Sequence, residues 1–564
     1  MTEDTEKPIL INTIFTIVMA GIIVFFPMLL NDFVWDDVVQ IVQNGDIYSI
    51  KNIPGLFSTG NLGIFYRPVF YSTLAVLYSL SKLETFLYHF FQLSIHISNA
   101  VLVFLLFKRF IEKRLAFLLS LLFLIHPINA EAVVFISAVS DTLFVFFGLL
   151  ALQLLMKKQD SLRTGITASI FLLLSLLTKE GGFLFIAIIF LYRLILRRQI
   201  FPSTLAILAL PVGVYSVLRF YVANIFFAGV KIVPIAEASL AERILTIPKI
   251  VFYYISTFLF PVRLAISQHW VVRSATFGDF YLPLIFDLGA IVALTWMGIF
   301  IYKQQKQLFP AYIFFLSWFL IGLLPYLQLV PLDMTVAERW FYFPIIGLLG
   351  ACGLLVDQIF GASKPGNKTA LVLIPILVMF SLRTIVRTLN WSSGYALYSH
   401  DEKVETDNYL LKNNLAVELI KRDEHDTALT YAEEAIRLNS DWGKSWSTAG
   451  TIYLIKKDFP KANHYFRESL KRDWGNFGAY YYLGQSLLTT REYLSAKEWI
   501  EQGLKSFPDN GELTGMLAMA EYGLGNQPRA LDLAKKAVSW SPGPQTQLIY
   551  DTILNQKQFS LEQP

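Results

Sequence analysis

Cysteine is almost absent. The 564 residues hold one, Cys352, and that count excludes intrachain disulfides and cysteine-based zinc clusters. Histidine offers no substitute: the seven histidines show no HxxxH spacing, so no metal site is expected. Charge is also scarce. Charged residues make up 16% of the chain, against roughly 25% in soluble globular proteins, and with 55% hydrophobic residues this excludes an ordinary water-soluble enzyme. The scarcity is uneven: residues 1–400 hold 28 Lys and Arg with 20 Asp and Glu, whereas residues 401–564 hold 19 with 23. A segment suited to lipid gives way to one suited to water.

What the first segment does have is long apolar runs. Residues 8–30 follow an acidic start, Met1 to Lys7. A cleavable signal has a basic start and an apolar core of roughly 7–15 residues, so a retained transmembrane helix is expected. Further runs lie near 85–107, 115–127, 132–156, 164–178, 181–196, 203–225, 281–302, 309–330, 339–358 and 369–386, which makes about eleven crossings. Short connectors carry the cations: Lys108, Arg109, Lys113 and Arg114; Lys157, Lys158 and Arg163; Arg193, Arg197 and Arg198; Lys303 with Lys306; and Lys364 with Lys368. Basic connectors stay cytoplasmic. All five share that side if the N-terminus is cytoplasmic and the run 247–266, broken by Pro248 and Pro261, does not cross. The stretches 31–84, 226–280 and 331–338 then face the exterior together with the C-terminal region. The segment 68–81 is too short to span and is expected along the interface.

From about residue 408 the sequence repeats every 34 residues. Ala416, Gly450, Gly484 and Ala518 form one series of small residues, Ala428, Ala462, Ala496 and Ala530 a second, and Ala435, Ser469, Gly503 and Ala537 a third. This is the pattern of tetratricopeptide repeats, in which small residues let the two helices of each hairpin pack closely. The expected fold is therefore all-α: a polytopic membrane domain over 1–386, a connector over 387–407, an α-solenoid of four repeats over 408–544, and a tail over 545–564. The solenoid reads either as a spacer or as a surface for extended polypeptide.

Ionisable residues stand out against so apolar a background. Asp36 and Asp37 open the first exterior loop, 31–84, in Asn31-Asp32-Phe33-Val34-Trp35-Asp36-Asp37; neighbours on a helix point about 100° apart, so the two do not form one proton-sharing dyad. Arg67 lies in Tyr66-Arg67-Pro68. His126 and Glu131 belong to a polar turn, His126-Pro127-Ile128-Asn129-Ala130-Glu131. Asp141 sits inside an apolar run, where an ionisable group is functional by default. Lys179-Glu180 and Glu338-Arg339 are adjacent opposite charges, and on their own each reads as a mutual ion pair.

Taken in order, Phe33-Val34-Trp35-Asp36-Asp37, Tyr66-Arg67-Pro68, His126-Pro127-Ile128-Asn129-Ala130-Glu131-Ala132-Val133, Thr178-Lys179-Glu180-Gly181, Ala337-Glu338-Arg339-Trp340-Phe341-Tyr342-Phe343-Pro344, and Arg387 with Asn390-Trp391 resemble the transmembrane and tetratricopeptide repeat-containing O-mannosyltransferases. These belong to the polytopic glycosyltransferase C group. The chain departs from the family in its short solenoid and in Ser140-Asp141, where Arg or Gly often precedes the Asp. The resemblance implies an enzyme that transfers a sugar, commonly mannose, from a polyprenyl-phosphate carrier to Ser or Thr hydroxyls of exported proteins on the exterior side. No other cofactor and no nucleic-acid partner is implied. The membrane is then a plasma (inner) membrane, or an endoplasmic reticulum membrane with the repeats in the lumen.

The residues fit that chemistry. A hydroxyl needs a carboxylate to take its proton, a role assigned to Asp36 first and Asp37 second. A lipid phosphate leaving group needs fixed cations, for which Arg67, Lys179 and Arg339 stand at exterior ends of membrane segments. His126, Glu131, Asp141 and Glu338 are candidates to hold the sugar or orient the base. Two non-enzymatic readings compete: a membrane-anchored repeat scaffold for exported partners, and a transporter of lipid-linked sugars. The second sits poorly with the absence of internal repeats in 1–386.

Overall fold

In the computed structural model the described residues are 3–60, 65–157, 161–198, 202–226, 233–360 and 368–557. The connector residues Lys158 and Lys364 lie outside them. Among the described residues the secondary structure is helical, and the one β-interaction is an isolated antiparallel bridge between Gln268 and Val336. The chain forms two compact units, Met1–Val404 and Glu405–Pro564.

The first unit makes this a multi-pass membrane protein. Seven described helices are long and apolar enough to cross: Leu10–Leu30, Thr85–Phe107, Ile136–Leu155, Pro202–Val222, Phe277–Gln304, Lys306–Tyr326 and Leu371–Asn390. An eighth exists if Lys113–Ile125 and Pro127–Val134, bent by 47°, count as one broken span. The remaining three of the expected eleven runs form shorter apolar helices. The runs at 164–178 and 339–358 form Leu162–Thr178 and Pro344–Phe360, of 17 residues each, and the run at 181–196 forms Gly182–Leu191, which continues into Tyr192–Arg197. Seventeen residues at 1.5 Å each reach about 25 Å, the lower end of the lengths that cross a hydrocarbon core of roughly 30 Å. Pro127 explains the bend, since proline offers no backbone N–H to the preceding turn.

The run 247–266 is mostly helical. Its helix, Leu240–Leu259, opens with a capping box from Ser239 and Glu242, and its buried face is Thr246, Ile250, Tyr254 and Thr257. It is not among the helices apolar enough to span. Pro68–Ser81 is a 14-residue helix, also too short. Close helix contact in this unit depends on absent side chains: a Cβ on Gly347 would meet the Phe315 carbonyl oxygen at 2.7 Å.

The 387–407 stretch is mostly part of the first unit and not a loose connector. The helix Lys368–Asn390 runs through its start, and Gly394–Val404 follows with Leu397, Tyr398 and Asp401 buried.

The second unit holds four helical hairpins: Tyr409–Lys421 with His425–Leu438, Gly443–Ile455 with Phe459–Arg472, Phe477–Thr489 with Tyr493–Ser506, and Gly511–Gly523 with Gln527–Trp540. The small residues sit at the contacts. Ala428, Ala462, Ala496 and Ala530 are fully buried, and a Cβ on Gly450 would meet the Phe466 ring at 2.8 Å. The period also sets the turns. Asp423, Lys457, Arg491 and Gly525 all adopt positive φ, between 59° and 85°, at 34-residue steps. Glycine occupies only the last, so composition concealed this feature. Residues 545–564 begin as structure, because the helix Pro544–Leu554 places Ile553 over Ala518, Ala530 and Ala534 and closes that end of the core.

Candidate active site

The six quoted stretches converge at one end of the membrane unit. The first loop is pinned there by backbone: Asn31 Nδ2 donates to the Thr388 carbonyl at 3.1 Å, Asp32 N to the Ser392 carbonyl at 3.1 Å, and His89 Nε2 to the Asn31 carbonyl at 3.2 Å. Asp37 completes the anchorage. Its Oδ1 accepts from Ser137 N at 2.8 Å and Ser137 Oγ at 2.6 Å, and its Oδ2 accepts from Val34 N at 3.2 Å. Burial pushes the Asp37 carboxyl up to about 7 even against those three donors. Asp36, its neighbour, is only half-buried. The two carboxylates therefore have different surroundings, in agreement with their helical offset.

Trp35, between this loop's apolar start and Asp36, has φ 55°, a left-handed value that is an outlier for a bulky residue. Its ring stacks on Phe135 at 5.2 Å, and Phe135 stacks on Trp391 at 5.5 Å. The Arg339 guanidinium carbon lies 5.3 Å from the Trp35 ring centre. An aromatic wall thus joins the loop of Asp36 to a cation.

The cations come as pairs, though not with their sequence neighbours. Lys179 Nζ donates to Asp141 Oδ1 at 2.5 Å, while Glu180 accepts from Arg67 at 3.0 Å and Arg219 at 3.2 Å. Arg339 pairs with Glu131 through its guanidinium and also donates its backbone N–H to Glu131 Oε2 at 3.1 Å. The mutual-pair reading of Lys179-Glu180 and Glu338-Arg339 is corrected accordingly: each residue turns away from its neighbour to a partner far along the chain. Asp141 is thereby satisfied by a neighbouring helix end. Exposure grades inward. Arg67 and Glu180 keep 20% and 30% of their side-chain surface, Lys179 keeps 13% and Arg339 10%, whereas Glu131 is wholly buried. Arg67 is therefore the most accessible of these three cations.

His126 is occupied by packing. Its Nε2 donates to the Phe258 carbonyl at 2.9 Å, its Nδ1 accepts from Ile128 N at 3.2 Å, and its ring stacks on Phe258. With both nitrogens taken by backbone, this histidine caps the turn at Pro127 and has none left for a sugar. Glu131, engaged by Arg339 on both oxygens, also supports the site from behind. Among the described residues no group of three or more His, Cys, Asp or Glu converges as a metal site.

Glu338 lies in a second buried charge group. Arg387 holds Asp401 with two bonds, 2.6 and 3.2 Å; His400 and the Ile266 N–H also donate to Asp401; and Glu338 Oε1 stands 3.8 Å from Arg387 Nη2. Neither Glu338 oxygen has a hydrogen bond. Burial, only partly opposed by Arg387, pushes Glu338 up to about 8. A carboxyl whose folded value lies above its free value contributes stability that is full below the ordinary carboxylate range and is lost as pH rises through the folded value. Relative to Glu338→Gln, the native chain's unfolding temperature in detergent is therefore expected to decline as pH rises from about 5 to about 9.

Sequence reasoning did not single out Arg219, Ser137, His400 or Asp401. Arg219 carried a usable signal, an arginine within the apolar run 203–225. Asp401 carried none.

No family model matches the chain. In sequence it is similar to proteins named protein O-mannosyl-transferase. TMTC3 of Homo sapiens is 24% identical over 471 residues, covering 72% of this chain and 49% of that protein. F38B6.6 of Caenorhabditis elegans is 25% identical over 428 residues, 72% of this chain and 59% of that protein. Tmtc3 of Drosophila melanogaster is 24% identical over 518 residues, with 75% and 55% covered. These relatives bear out the family resemblance carried by the motifs, and the chain spans about half the length of the curated relatives it matches. Among solved structures, MamA 41-end from Desulfovibrio magneticus RS-1 is 21% identical with a TM-score of 0.25, covering 26% of this chain and 84% of that one. YrrB, described as a TPR protein with an unusual peptide-binding site, is 19% identical with a TM-score of 0.25, covering 28% and 84%.

Proposed function

We propose that the chain is a membrane glycosyltransferase that moves a sugar, mannose by analogy with its relatives' names, from a polyprenyl-phosphate carrier to Ser or Thr hydroxyls of exported proteins on the non-cytoplasmic side. The observation that carries this reading is that a half-buried Asp36 and Arg67 both act electrostatically on Tyr71, and Arg67 in turn on Lys179, with each of the two cations preset by a carboxylate.

The division of labour follows from the contacts. Asp37 spends its oxygens on Ser137 and Val34, which supports giving proton abstraction to Asp36 and loop anchorage to Asp37. The acceptor hydroxyl loses its proton to Asp36 as its oxygen attacks the anomeric carbon, and the bond to the carrier phosphate breaks. Direct attack inverts that carbon. An ammonium has three donors and a guanidinium five, so Lys179 and Arg67 keep donors for phosphate oxygens after serving Asp141 and Glu180. Held by fixed partners, they need little rearrangement as charge develops. Arg339, paired with Glu131 and lying over the Trp35 ring, sets the position of Trp35 beside Asp36. The repeats take the role of binding acceptor polypeptide.

The test is a comparison of glycopeptides from exported proteins, made by mass spectrometry in cells with and without the chain. Hexosylated Ser and Thr peptides are expected to disappear with it. Identical profiles would dismiss the transferase reading and leave the scaffold.

A further inference from the structure

The helices Leu282–Gln304 and Phe309–Leu323 form a hairpin that contributes no residue to the charged clusters described above. They touch where Gly298 leaves room for Tyr312: a Cβ there would stand 2.9 Å from the Tyr312 ring, and Tyr312 Oη donates to the Leu294 carbonyl at 2.5 Å. Away from that contact they part. The result is an apolar groove of about 560 Å³, walled by Ile291, Thr295, Gly298, Tyr302, Tyr312 and Leu316 among others. It opens outward, since Ile291 is 58% exposed and Tyr302 45%. Both helices lie in segments apolar enough to span a membrane, so the groove faces acyl chains and its natural occupant is one of them.

The mouth of the groove is charged. Lys303 and Lys306 are exposed on the turn that joins the helices, and Lys306 Nζ lies 5.4 Å from the ring centre of Tyr302, itself part of the wall. Among the described residues neither lysine has a carboxylate partner, whereas Arg67, Lys179, Arg339 and Arg387 all do. Two unpaired cations at the end of an apolar membrane groove match a phosphate headgroup joined to an acyl chain; basic pockets between membrane helices bind anionic lipids in this way.

We propose that this groove is a binding site for one anionic phospholipid, with an acyl chain along Ile291, Thr295 and Leu316 and the phosphate at Lys303 and Lys306. The site is independent of the transferase reading. The experiment is native mass spectrometry of the full chain in neutral detergent, offered phosphatidylglycerol and phosphatidylcholine of equal chain length in equal amounts. The first lipid retained is expected to be the anionic one, and Lys303→Gln with Lys306→Gln should weaken its retention about fivefold for each lysine removed. Thr295→Phe, an exposed position in the wall, should fill the groove and weaken both lipids alike. Equal retention of the two lipids by the native chain, an anionic preference that survives both lysine changes, or retention untouched by Thr295→Phe would each overturn the proposal.

Discussion

Replacing Asp36 by Asn should cut sugar transfer by about a hundredfold to ten-thousandfold, the usual contribution of a positioned general base, while the protein's abundance in the membrane stays unchanged. The substitution keeps the size and shape of a half-buried side chain, turns one acceptor oxygen into an N–H donor and removes the charge and the ability to take a proton. Loss should fall on kcat, since Asp36 is not assigned to donor binding. Asp37→Asn should behave differently. Its carboxylate accepts from Ser137 N, Ser137 Oγ and Val34 N, and an amide nitrogen cannot accept from the N–H it would face, so the anchorage of the loop should weaken and abundance should fall with activity. The measurement is transfer to a Ser-containing peptide by membranes carrying each variant, normalised to protein. Full activity in Asp36→Asn would remove Asp36 as the base; a parallel loss of protein would make it another anchor.

The sequence is informative about this site to different degrees, for physical reasons that individual residues display. Helices were legible because lipid demands apolar runs: each run read from the sequence forms a helix, while the lengths were less so, because a run's hydropathy says nothing of where proline and helix caps cut it. The repeat was legible because helix contacts demand small side chains at fixed steps. The membership of the charged cluster was also legible, since Lys179, Arg339, Glu131 and Asp141 are costly in an apolar setting and so stand out. Their partners were not. Lys179 and Glu180 are adjacent, yet one turns to Asp141 and the other to Arg67 and Arg219, because at a helix end successive side chains point apart and packing across the bundle decides which carboxylate each meets. His126 shows the opposite error. A histidine in a polar exterior turn suggests sugar contact, but its imidazole caps Ile128 and holds the Phe258 carbonyl, a use that only the bend at Pro127 reveals.

The Arg387–Asp401 pair should give the largest stability effect in the chain, and an asymmetric one. Both side chains are wholly buried and joined by two hydrogen bonds. Removing one member of such a pair leaves an uncompensated buried charge and costs about 3–5 kcal/mol, whereas replacing both with apolar groups of similar volume is often close to neutral. Arg387→Met should be the worse single change, because it takes Arg387 from two carboxylates, Asp401 and Glu338, the latter 3.8 Å away, and leaves them the longer-range attraction of Arg383. Asp401→Asn leaves Arg387 with Glu338 and keeps an acceptor for the Ile266 N–H, so its cost should be smaller. The double change Arg387→Met with Asp401→Leu should recover part of the loss, less than fully, because the donors Ile266 N and His400 Nδ1 then lack their acceptor and Glu338 still lacks Arg387. Unfolding of a polytopic chain is commonly irreversible, so the half-life of the folded protein in detergent at a fixed temperature is the proper readout. A half-life for Arg387→Met equal to that of the native chain would mean that this buried pair contributes nothing to holding the helix Gly394–Val404 against the membrane unit.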